Sequence, residues 1–195
     1  MSKQTIKEKR RANRNRERLK TYLIIGVSVV GLGAIAWGII GPSFRPAIGE
    51  AAPEMSADHV QEGEDPGPYN TDPPTSGPHY AAELEAGFYN EVDLADIGPF
   101  PEGYLVHNLE HGYVIFWYNC ESLSEADCVE LKTQIQDVMD GERDFKVIAF
   151  PRQSIDAPVV MTSWARMLAF DEFNPRVAEQ YVKTNRNQAP EPNAP

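Results

Sequence analysis

The sequence predicts one membrane-spanning helix followed by a small exported domain of the α/β or α+β class, with a mixed β-sheet and flanking helices. Two observations lead to this prediction. An uncharged apolar stretch at 22–40 follows a basic run that ends at Lys20. Farther along, a β-prone run at 113–118, an amphipathic helical pattern and a second β-prone run at 145–150 follow one another, which is typical of a strand–helix–strand unit.

The stretch at 22–40 has the length and composition of a transmembrane helix. Its 19 residues are almost all aliphatic or Gly, and Ser28 is the only small polar side chain among them. At 1.5 Å per residue they span about 28 Å, close to the thickness of a bilayer hydrocarbon core. We therefore predict a transmembrane helix at 21–41. A cleaved signal peptide is the alternative, but the long apolar region and the absence of a clear small-residue cleavage site favour an uncleaved signal anchor.

The charge of the chain is divided at this helix. The formal net charge is −11, yet residues 1–20 hold nine Lys or Arg against two Glu, a net of +7, and the rest hold nine against 27 acids, a net of −18. Basic flanks stay in the cytoplasm. We predict a basic cytoplasmic tail at 1–20 that contacts anionic lipid, and an extracytoplasmic C-terminal domain at the cell membrane. The acidic bulk would repel phosphate, which argues against nucleic acid as a partner.

The exported part divides into three regions by composition. Residues 42–68 are rich in Pro, Gly, Ala and acidic side chains without apolar periodicity, and predict a flexible acidic stalk. Residues 69–184 form the predicted globular domain. Residues 185–195 contain three prolines and no hydrophobic side chain larger than Ala, and predict a disordered tail.

Within the predicted domain, residues 69–80 contain three prolines and predict an irregular loop. The run at 113–118 is apolar on both faces, as in an interior strand. Strands are also predicted at 145–150 and 159–164, and a last short helix at 175–183. The strand–helix–strand order predicts a parallel pair, and the third strand is close enough in sequence to pair antiparallel.

The helix between the first two strands has its own start, face and stop signals. Ser122 with Glu125 fits a capping box, and Ser124 with Asp127 fits it less well. Gly141 supplies a stop. One apolar face recurs at spacings of three and four residues and comprises Cys128, Leu131, Ile135 and Val138.

Cys120 and Cys128 are the two cysteines of the chain. An even number of cysteines in an exported domain predicts a disulfide, which would contribute about 2–3 kcal/mol through the short loop it closes. The alternative is a pair of buried thiols. The spacing is not C-x-x-C, so a redox-active dithiol is disfavoured.

Three of the four histidines suggest a metal site. His79 follows the proline-rich loop, and His107 and His111 flank Glu110 in an H-x-x-E-H pattern. If this segment is a helix or a tight turn, the two histidines converge on one face. With Met161 as a thioether ligand these imidazoles would suit copper, and with Glu110 they would suit zinc. His59 lies in the predicted stalk and is set aside.

Two alternatives to a metal-binding role stay open. The histidines could be structural, with hydrogen bonds that hold the proline-rich loop to the sheet, in a subunit of a cell-envelope complex with protein partners at the outer membrane surface. In the inverted zincin pattern, His107 and His111 would bind zinc and Glu110 would act as a general base. That motif needs a helix interior, whereas Gly112 and the β-prone run end a helix here, so the balance is against an enzyme.

The segments PPTSGPH at 73–79 and VHNLEHG at 106–112, with TSWA at 162–165 and the N-terminal anchor, resemble a bacterial membrane-anchored family, the domain of unknown function family 3105. The resemblance covers about 69–170. It implies the same layout and emphasises these segments, but it implies no activity. The sequence therefore predicts a single-pass membrane protein whose exported domain binds copper or zinc, with no cofactor as the alternative.

Overall fold

The computed structural model describes Lys20, residues 22–33 and residues 47–194. The predicted basic tail lies outside these residues except for Lys20, and so does much of the predicted span at 21–41. Lys20 and residues 22–33 are helical. Within the described residues, the helices are too short or too polar to cross a membrane. The predictions for the N-terminal part therefore stay predictions. Described residues 47–194 belong to one compact unit.

The described domain combines a six-stranded mixed sheet with a separate two-stranded one. In chain order the strands are β1 (Glu50–Ala51), β2 (His59–Val60), β3 (His79–Tyr80), β4 (Gly87–Phe88), β5 (Val114–Tyr118), β6 (Val147–Pro151), β7 (Val159–Ser163) and β8 (Arg166–Phe170). The helices are α1 (Leu94–Ile97), α2 (Glu102–Glu110), α3 (Glu125–Gly141) and α4 (Pro175–Asn185). The large sheet has the order β1-β8-β7-β5-β6-β4, and β2 pairs with β3.

Strand β5 forms the centre of the domain because both of its faces are apolar. Its side chains alternate between two hydrophobic cores, as the period of two in a strand requires. Val114, Phe116 and Tyr118 pack with residues of α3 and α4, whereas Ile115 and Trp117 pack with residues of α2. The sheet is therefore covered by α3 and α4 on one side and by α2 on the other.

The structure confirms the mixed α/β class, and the main elements agree with the sequence predictions. β5 and β6 are parallel, and β5 and β7 are antiparallel. The long helix α3 has Ser124 as its N-cap, whose hydroxyl accepts a hydrogen bond from the Asp127 backbone N–H. The N-cap is therefore Ser124, with Asp127 as its partner, and not Ser122 with Glu125, the pair that the sequence favoured. Cys120 and Cys128 form the predicted disulfide.

Helix α2 is one of the elements that the sequence did not predict, together with α1 and strands β1–β4 and β8. It runs from Glu102 to Glu110, with His111 as its C-cap, across a segment for which the sequence left a helix and a tight turn as alternatives. Leu105, Val106 and Leu109 are fully buried in the core on its side of the sheet. Burial of this apolar face explains the helix better than its local sequence does, since tertiary packing supplies most of the stability of a short helix.

The stalk and tail predictions need correction at both ends of the domain. Within the predicted stalk, β1 pairs antiparallel with β8 and β2 pairs parallel with β3. Within the predicted tail, the backbone N–H of Glu191 donates to the Glu110 carbonyl at 3.0 Å. Backbone pairing overrides composition in both places. Described residues 47–68 and 185–194 are thus part of the folded unit.

Candidate metal centre

All four histidines of the chain meet at one place in the fold. The ring centroids of His59 and His79 are 4.9 Å apart, those of His79 and His107 are 5.2 Å apart, and those of His107 and His111 are 4.2 Å apart. These residues come from β2, from β3 and from the end of α2. Three separate elements of the fold therefore bring all four histidines into one cluster.

The small sheet brings His59 to His79. The two residues are direct partners in the parallel ladder between β2 and β3, so their side chains lie on the same face about one strand spacing apart. His79 is fully buried, whereas His59 is exposed. The four histidines form the candidate metal centre. His59 and His79 make up one wall of it, with His59 on the solvent side.

Helix α2 supplies the opposite wall. His107, Glu110 and His111 are three and four residues apart, so the helical turn places them on one face. The helix packs closely against β3, because a Cβ built on Gly103 would clash with the Tyr80 ring. The small glycine thus allows α2 to approach the strand that carries His79.

The contact between His79 and Glu110 has an unusual proton requirement. His79 Nδ1 lies 2.8 Å from the Gly77 carbonyl oxygen, which can only accept, so Nδ1 carries the ring proton. His79 Nε2 then lies 3.0 Å from Glu110 Oε2. In a neutral imidazole this nitrogen has a lone pair facing a carboxylate. The contact is favourable when a proton or a metal cation is shared between the two atoms.

His107 is a buried imidazole with an unused nitrogen. The residue is 8% exposed, and among the described residues its Nδ1 is the one buried side-chain nitrogen or oxygen without a hydrogen-bond partner. Burial, followed by the neighbouring rings of His111, His79 and His59, lowers the pKa of His107 to about 4. The imidazole is therefore neutral near pH 7, which is the form that binds metals.

His111 lies between two carboxylates. Its Nδ1 is 3.0 Å from Glu83 Oε2, and its Nε2 is 3.7 Å from Glu191 Oε2. A neutral ring has one N–H, so it can donate to one of these carboxylates and not to both. In that neutral form the other nitrogen would present its lone pair to an anion, as in His79.

The C-terminal residues close the centre from outside. Lys146 Nζ donates to the carbonyl oxygens of His111 at 2.9 Å, Pro192 at 3.1 Å and Ala194 at 2.8 Å. Burial lowers the pKa of Lys146, and the nearby Glu83 carboxylate opposes this shift. One ammonium group thus fastens the end of the chain beside His111, where Glu191 reaches the site.

Three overlapping groups of side chains in the described part of the chain have ligand atoms within 4.8 Å of one another. They are His59 with His79, His107 and Glu110; Glu83 with His107 and His111; and Glu110 with His111 and Glu191. Seven residues take part, more than the four ligands that zinc normally takes.

Comparison with known protein families assigns the chain. A profile described as protein of unknown function (DUF3105) matches residues 59–195. The chain belongs to this family. The DUF3105 match includes every residue of the three groups, from His59 at its first position to Glu191 near its end. Searches of curated proteins and of solved structures give no match.

The DUF3105 domain brings together four of the five predicted metal ligands. His79, His107, His111 and Glu110 share the centre. The prediction of Met161 is wrong, because its side chain is fully buried in the core between the sheet and helices α3 and α4. The thioether is excluded from the centre because β7 directs it toward the opposite side of the sheet from α2.

Sequence reasoning missed three residues of this DUF3105 centre. His59 escapes prediction because its surroundings have the composition of a linker. Glu83 and Glu191 carried no local signal, since each reaches His111 from a distant segment. The sequence offers one clue. Histidines are few, and two of them stand directly before a β-prone residue, in HV at 59–60 and in HY at 79–80.

Proposed function

We propose that this DUF3105 domain binds a divalent transition metal ion, zinc in the first instance, through His59, His79, His107 and Glu110. The observation that carries the proposal is the mutual approach of these four ligand atoms to within 4.8 Å. Three imidazoles and one carboxylate make a complete tetrahedral donor set for zinc.

The contact between His79 Nε2 and Glu110 Oε2 supports a bound cation between these two atoms. Zinc ligand bonds are about 2.0–2.1 Å, so two atoms bound to one ion lie at most about 4 Å apart. The 3.0 Å between His79 Nε2 and Glu110 Oε2 falls inside that limit. The Gly77 carbonyl holds the other ring nitrogen, which is the outer-shell arrangement that usually orients a metal-bound histidine.

The donor atoms favour a divalent ion over Cu(I). Cu(I) prefers thiolate and thioether ligands. Cys120 and Cys128 are joined in a disulfide, and Met161 lies in the core. Nitrogen and carboxylate oxygen suit Zn²⁺, and they also suit Cu²⁺, which generally binds a given set more tightly. If the site binds copper, it therefore binds Cu²⁺ and not Cu(I).

We further propose that the centre faces the outside of the cell membrane. The basis is the apolar stretch at 22–40 and the excess of basic residues before it. The disulfide fits an oxidising, extracytoplasmic compartment. In this position the domain would hold or pass on a metal ion beside the membrane, with anionic lipid at the basic tail and protein partners at the outer surface.

Zinc binding by the purified full chain in detergent tests the proposal. Calorimetric titration of metal-free protein should give a Kd below about 1 μM, as for other structured zinc sites. The double variant His79→Ala/His107→Ala should lose this affinity. Glu85→Gln, an exposed carboxylate two residues from Glu83, is the matched control and should bind normally. A millimolar wild-type Kd, or an unchanged double variant, would leave the histidines as structural residues.

A second candidate function is metal-dependent hydrolysis. The specific observation is that His107 and His111 of the H-x-x-E-H segment form a group with Glu83, which gives the two-histidine, one-carboxylate donor set of zinc hydrolases. Glu110 would then serve as general base. Zinc-loaded protein should cleave casein or a peptide library, and Glu110→Gln should abolish turnover while Glu85→Gln retains it. No turnover by the zinc-loaded wild type would end this candidate.

A further inference from the structure

The proposed zinc site of His59, His79, His107 and Glu110 leaves three further potential ligands beside it unused. Once His59, His79, His107 and Glu110 hold one ion, His111 still lies between Glu83 and Glu191. The side chain of His111 is 10% exposed, and a neutral imidazole can satisfy only one of these two carboxylates with its single N–H. Three carboxylates, Glu83, Glu110 and Glu191, thus lie around His111, and together they favour a cation at this position.

We propose that the centre is dinuclear, with a second divalent ion held by Glu110, His111 and Glu191 next to the first. This inference rests on the proposed function, because it takes the first ion as given. Glu110 belongs to both groups of potential ligands. A carboxylate has two oxygens and can bridge two ions, and paired metal ions in proteins lie about 3.5–4 Å apart.

The contacts of His111 assign its two nitrogens. Nδ1, at 3.0 Å from Glu83 Oε2, is at hydrogen-bond distance and donates its N–H to that carboxylate. Nε2 is then free to bind metal. Its 3.7 Å separation from Glu191 Oε2 is too long for a hydrogen bond but lies within the limit of about 4 Å for two ligands of one zinc ion. Glu83 is accordingly a positioning residue and Glu191 a ligand.

The end of the chain positions Glu191. Its backbone N–H donates to the Glu110 carbonyl at 3.0 Å, which ties the two proposed ligands of the second ion together. Lys146 binds the carbonyl oxygens of Pro192 and Ala194 immediately after it. The folded C-terminus therefore has a definite role, namely to complete a metal site that the rest of the domain leaves unfinished.

The two ions differ in their access to solvent. Each ion has one exposed protein ligand, His59 for the first and Glu191, whose side chain is 60% exposed, for the second, but the first has three buried ligands and the second has two. The first ion has four protein ligands and the second has three, which leaves the second a position for water or another small ligand. The second ion should therefore exchange faster and be the reactive member of the pair.

Metal stoichiometry of the full chain in detergent tests this inference apart from the proposed function. Metal-free protein is dialysed against zinc and the bound metal is counted by mass spectrometry. Two ions per chain are expected for the wild type and for the control Glu85→Gln, and one ion for Glu191→Gln. With Co²⁺ in place of zinc, the wild type should show magnetic coupling between two ions, and Glu191→Gln should show the spectrum of an isolated one.

The outcomes separate the two claims. One ion in the wild type overturns the dinuclear centre while the proposed function stands. No bound ion overturns both. If Glu191→Gln unfolds at the same temperature as the wild type and still binds two ions, Glu191 is not a ligand. A chelator should also remove the two wild-type ions in two phases, and a single phase that releases both together would contradict the difference in access.

Discussion

His79 and Glu110, 31 residues apart in sequence, face each other at 3.0 Å while the Gly77 carbonyl occupies the other nitrogen of the imidazole. The geometry leaves a lone pair opposite a carboxylate unless a proton or a metal lies between them. Replacement of Glu110 therefore distinguishes the two ways of satisfying this contact.

Glu110→Gln should lower metal affinity without lowering the stability of the metal-free protein. The amide can donate an N–H to His79 Nε2, so unfolding of the metal-free protein should be unchanged or require about 1 kcal/mol more free energy. Zinc affinity should fall by about 100-fold or more, beyond the loss usual for an outer-shell partner. Denaturation with and without chelator, together with zinc titration, gives both numbers. A variant that is less stable without metal would instead show a structural His79–Glu110 ion pair.

The metal-free domain should lose stability between pH 6.5 and pH 4 because of His107. Its pKa is about 4 in the folded domain against 6.5 for an unperturbed imidazole. In this range the unfolded chain binds the proton more readily, so the stabilisation present above pH 6.5 is lost as the pH falls toward 4. The loss should reach up to about 3 kcal/mol. Urea denaturation in chelator should show it, and His107→Leu should flatten the curve. Superimposable wild-type and variant profiles would contradict the burial of a neutral His107.

The sequence predicted those elements whose pattern is local. The apolar run at 113–118 and the spacing of Leu131 and Ile135 have periods of two and of three to four residues, and β5 and α3 follow them. The family resemblance also identified the two motifs that supply His79, His107 and His111.

What the sequence could not predict depends on contacts between distant segments. Helix α2 contains Gly103 and ends just before Gly112, so its local signals are weak, and the packing of Leu105 and Leu109 stabilises it. His59 enters the centre through backbone pairing with a strand 20 residues away. No periodic signal reports such a contact, because linker-like composition masks a two-residue strand.

Gly112→Ala should destabilise the domain, because Gly112 has a φ of +85° and its missing Cβ would lie 2.7 Å from the Asn187 Cα. Left-handed strain and the clash with backbone together should cost about 1–3 kcal/mol. Gly141→Ala is the matched control, since it ends α3 with nothing within 4 Å of a built Cβ, and it should be neutral or stabilising by up to about 1 kcal/mol. Thermal unfolding measures both. Equal melting temperatures for the two variants would contradict the close approach of the C-terminal segment to Gly112.

Removal of the disulfide should lower stability without changing metal stoichiometry. Cys120 and Cys128 are eight residues apart, and closing a loop of that size contributes about 2.5 kcal/mol in the chain-entropy treatment. The double variant Cys120→Ser/Cys128→Ser should lose about this amount in chemical denaturation, and a reducing agent should have the same effect on the wild type. Since neither cysteine belongs to the groups around the histidines, bound zinc per chain should stay constant. A loss of zinc would mean that the disulfide supports the centre indirectly.

Lys146→Met should weaken the second metal ion selectively. The ammonium group donates to three carbonyl oxygens, two of them in the C-terminal segment that carries Glu191. Methionine has a similar length but cannot donate, so this segment should detach and its amides should exchange hydrogen faster. The exposed Lys183, which pairs with Glu179, offers a control in Lys183→Met that should leave both properties unchanged. Affinity for the second ion should fall about 10- to 100-fold, the range for a positioning partner, while the first ion stays bound because its ligands lie elsewhere. Equal loss of both ions in Lys146→Met would show that the chain end stabilises the whole centre and not the Glu191 ligand alone.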